Sequence, residues 1–317
     1  MSRPLAIIKT ATWLAVGCLL AGCSSKPVDP GPKEDPTLAQ HQRAGELAYS
    51  LDRPDEAVAQ YQSALAQAEA RDDLTAIGNL SFNLVVAQLR ANQAAAALAT
   101  AHQAQAELQR RGSASFPALD LAEATALYRT GDAAQADRAA ARLQTGTDAD
   151  TLASASFLRG LIADERSDGA GLDAAIQALG SAGPGNTGDQ QGTALKPDRQ
   201  ADLAELQARL ARRQGDFAKA RQQALLAADL RRNLFDYRGL ARALAVAADA
   251  AERGGDAAAA ADLYLRAGRS AAAQHDPQQA RPWLKQAIHL TADPAIRAAS
   301  QEALDGLNQP GGSGDGS

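Results

Sequence analysis

A short turn signature recurs along the chain at a nearly fixed interval. The segments Arg129–Ala136, Arg213–Ala220 and Arg253–Ala260 share one order: Arg, Gly two residues later, Asp directly after the Gly, and Ala four residues beyond the Asp. Arg in the last turn of a helix faces the negative end of its dipole, and Gly just past the helix allows a left-handed cap. The Asp can accept hydrogen bonds from the free N–H groups of a second helix. The signature therefore predicts two antiparallel helices joined by a tight turn.

The small residue of this signature marks a repeat. It returns at intervals of 39–40 residues, with one interval of 45, at Ala57, Ala97, Ala136, about Ala175, Ala220 and Ala260. Aromatic residues make up only 4 % of the chain, and no run of alternating β-branched residues predicts a strand. The pattern predicts an all-α solenoid of antiparallel helix pairs, and an Ala-rich helical bundle is the alternative.

The repeating units resemble the tetratricopeptide repeat. Gly45, Ala57, Tyr61 and Ala64 have the spacing of that motif's Gly, Ala, aromatic and Ala positions, and Phe82–Leu84 matches its aromatic-Asn-Leu opening. The resemblance covers about residues 38–305, although the period is longer than the usual 34 and the opening Trp is missing. It implies longer helices with the same packing. A second good match overlaps the unit around Gly255, so the helix predicted over 256–273 either closes one pair or opens the next.

One long Gly-rich segment interrupts the repeats at residues 180–197. Because the other turns are only a few residues long, we expect a flexible loop here that divides N-terminal repeats (37–179) from C-terminal repeats (198–306). Its glycines lack the Gly-Lys-Ser/Thr of a phosphate-binding loop. Residues 307–317 read as a disordered tail.

The amino-terminal residues have the features of an export signal. Arg3 and Lys9 precede an apolar run that is too short for a confident membrane span and that ends in Leu20-Ala21-Gly22-Cys23. This arrangement resembles a bacterial lipoprotein signal peptide (1–22), and a secretory signal with a chance Cys is the alternative. The resemblance implies cleavage before Cys23, acylation of that residue (palmitate being one such chain), and, because Ser24 follows, sorting to the outer membrane with the body facing the periplasm. Residues 23–36 would then be the acylated Cys and a Pro-rich, disordered tether.

The sequence contains no recognisable catalytic or metal-binding motif. Cys18 would leave with the signal and Cys23 would be acylated, so neither thiol catalysis nor a Cys metal site is expected. The four His residues have no metal-ligand spacing, and no G-x-S-x-G or S-x-x-K is present. The acidic pair Asp164-Glu165 reads as part of a solvated helix surface. We therefore predict no catalytic residue, no metal, no cofactor and no enzymatic activity.

Two features are candidates for binding a partner. Asn83 lies where many tetratricopeptide repeats place an Asn that bonds a peptide backbone, although an Asn there can equally bond the neighbouring helix pair. The stretch 199–242 holds ten Lys or Arg against five acids, a net charge of +5 in a chain whose net charge is −5. In it, Arg209 and Arg212 are expected on the inner helix, with Arg213 beside them. Helix-capping or solvated arginines are the alternative interpretation.

These features predict a lipid-anchored adaptor that binds a protein or peptide of the cell envelope on a concave helical surface. The alternative is a peptidoglycan-associated protein, or a regulator of a cell-wall enzyme, that uses the Arg-rich repeats. Nucleic acid is not expected as a partner, because the body of the chain is acidic.

Overall fold

The computed structural model describes residues 35–113, 116–144, 148–181 and 195–308, and in these ranges the chain is helical without a strand. The helices are α1 (Pro36–Ser50), α2 (Pro54–Ala70), α3 (Leu74–Arg90), α4 (Ala94–Arg110), α5 (Pro117–Arg129), α6 (Ala133–Ala141), α7 (Ala149–Glu165), α8 (Gly169–Ser181), α9 (Pro197–Arg213), α10 (Phe217–Asn233), α11 (Tyr237–Arg253), α12 (Ala257–Ala273), α13 (Pro277–Leu290) and α14 (Pro294–Gly306). The signal peptide, Cys23, nearly all of the tether, the centre of the Gly-rich loop and the end of the tail lie outside the described residues.

The 40-residue period arises from helices of equal length. Helices α2, α3, α4, α7, α9, α10, α11 and α12 each have 17 residues. Three-residue turns join many of them, so two helices and two turns fill 40 residues. The turn after α9 is representative: Gly215 N–H donates to Arg212, Asp216 N–H donates to Ala211, and the Asp216 carboxylate caps Lys219 N–H. This geometry is the one that the turn signature predicts.

The middle residue of these turns has a left-handed backbone, which is comfortable for Gly and unusual for other residues. Gly occupies the position at Gly131, Gly215 and Gly255. The same conformation, with φ of 53–61°, is adopted by six other residues: Asp52, Asp72, Asn92, Ser167, Phe235 and His275. The turn therefore keeps the same shape where the sequence signature is absent. Asn, Asp and Ser tolerate this backbone conformation better than apolar residues do, because their side chains bond to the local backbone.

Small residues lie where paired helices touch. Ala57 and Ala64 are fully buried, and a Cβ added to Gly45 would lie 2.8 Å from the Tyr61 ring. Helix α3 contacts α5, α5 contacts α7, α7 contacts α9 and α9 contacts α11, so the pairs form a consecutive array rather than a bundle. The prediction of an all-α solenoid with tetratricopeptide-like helix pairs is confirmed. Helix α12 packs against α11, α13 and α14, so it both closes one pair and opens the next.

Packing continues across the Gly-rich segment. Helices α7 and α8 both pack against α9, and a Cβ added to Gly160 of α7 would lie 2.5 Å from Leu206 of α9. The described residues from Pro36 to Asn308 form one compact unit. The segment 180–197 therefore divides the sequence into two parts, but the described helices on its two sides pack into one continuous array. None of the described helices combines the length and apolar character needed to cross a membrane.

Candidate functional site

The inner helices of the array surround an open groove of about 550 Å³. Its walls come from α5, α7, α9, α11, α12 and α13. Small and aliphatic side chains of α11, among them Ala241, Ala245 and Val246, line part of it, and three aromatic residues, Tyr128, Tyr264 and Trp283, line other parts. This mixture of apolar wall and polar rim is the usual character of a binding site.

The aromatic residues differ in how their polar atoms are satisfied. Tyr128 donates its hydroxyl to Glu165, and burial, followed by this hydrogen bond, raises the pKa of Tyr128. The half-buried Trp283 makes no hydrogen bond through its indole N–H to any residue that the structure describes. Exposed Gln279 lies beside it on the same helix. The wall formed by α13 therefore offers a partner both an aromatic surface and free donors.

Three of the arginines near the groove bind one buried carboxylate. Asp164, whose side chain is 4 % exposed, accepts hydrogen bonds from Arg209 (2.8 Å), Arg212 (2.8 Å) and Arg213 (2.7 Å). Burial alone would raise the pKa of Asp164, but Arg209 and Arg212 reverse this and hold the pKa below its ordinary value. The interpretation of Asp164 as a solvated surface residue is wrong, because α9 covers it.

A second buried carboxylate lies on α9, one helical turn before Arg209. Glu205 is fully buried and accepts from Arg209 (2.9 Å), Arg231 (3.2 Å) and Arg242 (2.7 and 3.1 Å). Despite the opposing effect of burial, these guanidinium groups lower the pKa of Glu205. The Phe157 ring lies 5.4 and 5.3 Å from the guanidinium carbons of Arg231 and Arg242. Arg209 connects the two carboxylates, so α7, α9, α10 and α11 are joined by one network.

Acidic side chains from elsewhere in the chain pair with the arginines of the Arg-rich stretch. Within the part of the chain that the structure describes, five carboxylates outside 199–242 bind arginines inside it: Asp150, Asp164, Asp249, Asp256 and Asp276. Their number equals the net charge of +5 that the sequence shows for this stretch. Most arginines of this stretch are therefore paired with carboxylates within the folded chain.

The arginine that recurs at the end of the inner helices joins one helix pair to the next. Arg90 donates to Asp52 at 2.8 Å, and Arg213 contacts the Ser167 hydroxyl at 3.2 Å. Arg129 donates to the Asn92 side chain at 2.9 Å. Asp52, Asn92 and Ser167 are the left-handed residues of the preceding turns. Three of the recurring arginines thus bind a neighbouring turn, which the interpretation as dipole caps does not include, whereas Arg253 pairs with Asp249 of its own helix.

Residues far apart in the sequence meet at one edge of the groove. Arg238, in the first turn of α11, donates to the Asn92 side-chain oxygen (2.9 Å) and to the Arg90 carbonyl (2.6 Å). The Asn92 amide donates to the His275 carbonyl (2.7 Å). We call these contacts the seam, together with the hydrogen bond from Arg129 to Asn92 and the carboxylates Asp52 and Asp276 that pair with Arg90 and Arg238. They close the array upon itself, because the α3–α4 turn lies against α11 and the α12–α13 turn.

Replacement of Asn92 by Gly tests the seam without straining the turn. Gly occupies the equivalent position elsewhere, so the variant removes only the side chain and its hydrogen bonds. We expect the free energy of unfolding to fall by about 1–2 kcal/mol and the radius of gyration from small-angle X-ray scattering to increase. Phe235→Gly is the matched control, because this 72 % exposed side chain lies at the same turn position and its loss relieves backbone strain. An unchanged radius in Asn92→Gly would show that the seam does not hold the array closed.

A carboxylate on the rim of the network gives the fold a pH dependence. Burial raises the pKa of Asp202 to about 6, Arg231 opposes this rise, and the charge of Glu205 adds to it. Because an unfolded Asp titrates near about 3.9, the fold favours protonated Asp202, and this stabilisation is present below about pH 4 and lost as the pH rises through about 6. Urea unfolding should therefore show wild type losing up to about 2–3 kcal/mol relative to Asp202→Asn between about pH 4 and about pH 7.

The control for this comparison is Asp198→Asn, an exposed carboxyl in the first turn of the same helix. The pH dependence that is specific to burial is that of Asp202→Asn minus that of this control. A change with pH that is no larger in Asp202→Asn than in Asp198→Asn would contradict the assignment.

The structure places the sequence-predicted site residues in different surroundings. Arg209 and Arg212 line the groove from α9 as the inner-helix prediction requires, while Arg213 lies outside its lining and contacts Asp164. Asn83 is half-buried on α3, is not part of the groove, and its side chain makes no hydrogen bond within the described part of the chain. Cys23 lies outside the described residues. Binding of a partner by these residues stays a prediction.

The described residues hold no group of three or more His, Cys, Asp or Glu that could bind a metal ion. The groove residues that sequence reasoning missed are Tyr128, Trp283 and Arg238. Only a turn-by-turn assignment of inner helices, extended as far as α13, could have indicated them.

Comparisons with known proteins find only solved structures of low sequence identity, three of which are given below with their TM-scores. No family model matches the chain, and no curated protein matches it. A tetratricopeptide repeat protein from Parabacteroides merdae is 16 % identical, with a TM-score of 0.48, over 86 % of this chain and 99 % of that one. The TPR2AB domain of yeast Sti1 in its complex with pHSP90 is 16 % identical, with a TM-score of 0.34, over 85 % and 96 %. The C-terminal part of a TPR repeat-containing protein from Cytophaga hutchinsonii is 15 % identical, with a TM-score of 0.37, over 84 % and 99 %.

Proposed function

We propose that this chain is an adaptor of the bacterial envelope that binds a segment of another protein in the groove of its helical array. The observation that carries the proposal is the groove itself, which is open, has a volume of about 550 Å³ and combines apolar and aromatic walls with free polar groups. Helical repeats position such a surface rigidly, because each pair packs on its neighbours. Non-enzymatic binding is the function that these wall residues support best.

The membrane half of the proposal rests on the sequence. The lipobox Leu20-Ala21-Gly22-Cys23 and the Pro-rich residues after it support acylation of Cys23 and a tether to the outer membrane. In this proposal the array faces the periplasm. The peptidoglycan-binding alternative has weaker support, because the arginines that suggested it are mostly paired with Asp and Glu.

The binding half is tested by co-purification of the full chain from detergent-solubilised envelopes. Ala245→Trp fills the groove from α11, while Leu226→Trp places the same side chain on α10, where Leu226 is already 48 % exposed and does not line the groove. We expect a protein that accompanies wild type and Leu226→Trp and is lost from Ala245→Trp. Identical sets of proteins from all three would contradict groove binding.

The anchor is tested separately by growth with an alkyne-bearing fatty acid. The wild-type chain should acquire the label, and Cys23→Ser should not. Label on both, or on neither, would overturn acylation at Cys23 while leaving the binding result unaffected.

A further inference from the structure

The seam holds more positive than negative charge. Three guanidinium groups meet there, from Arg90, Arg129 and Arg238, and the carboxylates beside them are Asp52 and Asp276. Arg90 pairs closely with Asp52 at 2.8 Å, whereas Arg238 and Asp276 are 3.4 Å apart. Arg129 is exposed and has no carboxylate partner among the described residues.

A neutral group occupies the place between two of these cations. The Asn92 side-chain oxygen accepts from Arg129 and from Arg238, each at 2.9 Å. A carboxylate oxygen in that place would keep both hydrogen bonds and add the attraction between opposite charges, forming an ion pair with each guanidinium group. Consistent with an excess of positive charge, burial and then the neighbouring Arg129 lower the pKa of Arg238.

The same two arginines belong to the wall of the groove. Arg129 lies at the end of α5 and Arg238 at the start of α11, and both line the groove together with Asp276. The other acids of the wall are already engaged: Glu165 accepts from Tyr128, and Asp249 binds Arg212 and Arg253. A segment that enters the groove therefore meets its unsatisfied positive charge at the seam.

We propose that Arg129 and Arg238 form a carboxylate-binding subsite, and that the groove takes an acidic peptide segment whose Asp or Glu side chain replaces Asn92 between the two guanidinium groups. The inference rests on the proposed function, since it names the chemistry of the partner for the same groove. Because Asn92 also binds His275, its displacement would loosen the seam as the partner binds.

Asn92→Asp gives a variant in which the subsite supplies its own carboxylate. Asp already occupies the left-handed turn position at Asp52 and Asp72, so the variant is expected to fold. It should bind Arg129 and Arg238 more tightly than Asn92 does and compete with an acidic segment, while losing the amide that donates to the His275 carbonyl. Arg129→Gln combined with Arg238→Gln removes the subsite from the other side. Arg221→Gln is the control, because Arg221 pairs with Asp256 and does not line the groove.

The test is selection of a displayed library of random 12-residue peptides on the purified full chain, with Ala245→Trp used to remove peptides that bind outside the groove. We expect the groove-dependent peptides to share an Asp or Glu at one position. Synthetic versions should bind at least about tenfold more weakly when that residue becomes Asn or Gln, and when the protein carries Asn92→Asp or the double Arg variant. Arg221→Gln should bind as wild type does, and thermal unfolding should show each variant to be folded.

The outcomes separate this inference from the proposed function. Groove-dependent peptides without a shared acid, or with affinity unchanged by Asn92→Asp and by the double Arg variant, would overturn the carboxylate subsite and leave the groove a binding site. Failure to obtain any peptide that depends on the groove would overturn both.

Discussion

Glu205→Gln is expected to lower the free energy of unfolding by about 3–5 kcal/mol, the largest effect of any single substitution considered for this fold. The carboxylate is fully buried and receives hydrogen bonds from Arg209, Arg231 and Arg242, which come from three successive helices. A neutral amide of the same shape leaves these guanidinium groups without the charge that offsets their desolvation. Urea unfolding of the full chain at neutral pH, followed by circular dichroism, measures the loss.

The matched control is Glu46→Gln, which makes the same chemical change at an exposed position of α1. Its effect should stay within about 0.5 kcal/mol. If Glu205→Gln unfolded at the same urea concentration as this control, the arginines would be stabilised by something other than the buried carboxylate.

Gly160→Val is expected to lower the free energy of unfolding by about 1–3 kcal/mol. The new Cβ would lie 2.5 and 2.8 Å from the two methyl carbons of Leu206 and 3.1 Å from the Ala175 Cβ, so α8 and α9 would both have to move. Leu206 is fully buried and cannot turn into solvent. The substitution therefore measures how tightly the helices before and after the Gly-rich segment are packed.

Gly169→Ala is the control, since a Cβ at this helical position of α8 meets nothing within 4 Å. It should leave unfolding unchanged or shift it slightly toward higher urea concentrations. A Gly160→Val protein as stable as this control would contradict close packing of α7 against α9.

The fold was predictable because the interactions that form its turns are local in the sequence. The signature at Arg213–Ala220 specifies a cap, a left-handed turn and an Asp that starts the next helix, and each of these interactions spans only a few residues. The same turn at Phe235 escaped the signature, because a large side chain there gives no sign of a left-handed backbone.

The arginine network was not predictable because its charges pair across the array. The count over 199–242 could not include Asp164, which lies in the preceding helix pair, or Asp249, which lies in the following one. Only stacking of successive pairs brings these groups together. A net charge calculated over a continuous segment therefore misrepresents the surface of a solenoid.

The seam joins residues that are still farther apart in the sequence. Arg238 and Asn92 are 146 residues apart, and whether they meet is decided by small rotations that accumulate from one helix pair to the next. No local sequence pattern indicates the total rotation between distant helix pairs. Asn92 reads in the sequence as one more polar turn residue, yet it contacts three separate parts of the array.

The most direct test of partner binding in the groove is site-specific photo-crosslinking in intact cell envelopes. A photoreactive residue replaces Gln279, which is exposed on the groove wall, and the control probe replaces Leu226, which is exposed on α10 and does not line the groove. Groove binding predicts one discrete protein adduct from position 279 and none of the same mass from position 226. Equal adducts from both positions, or none from position 279, would contradict it.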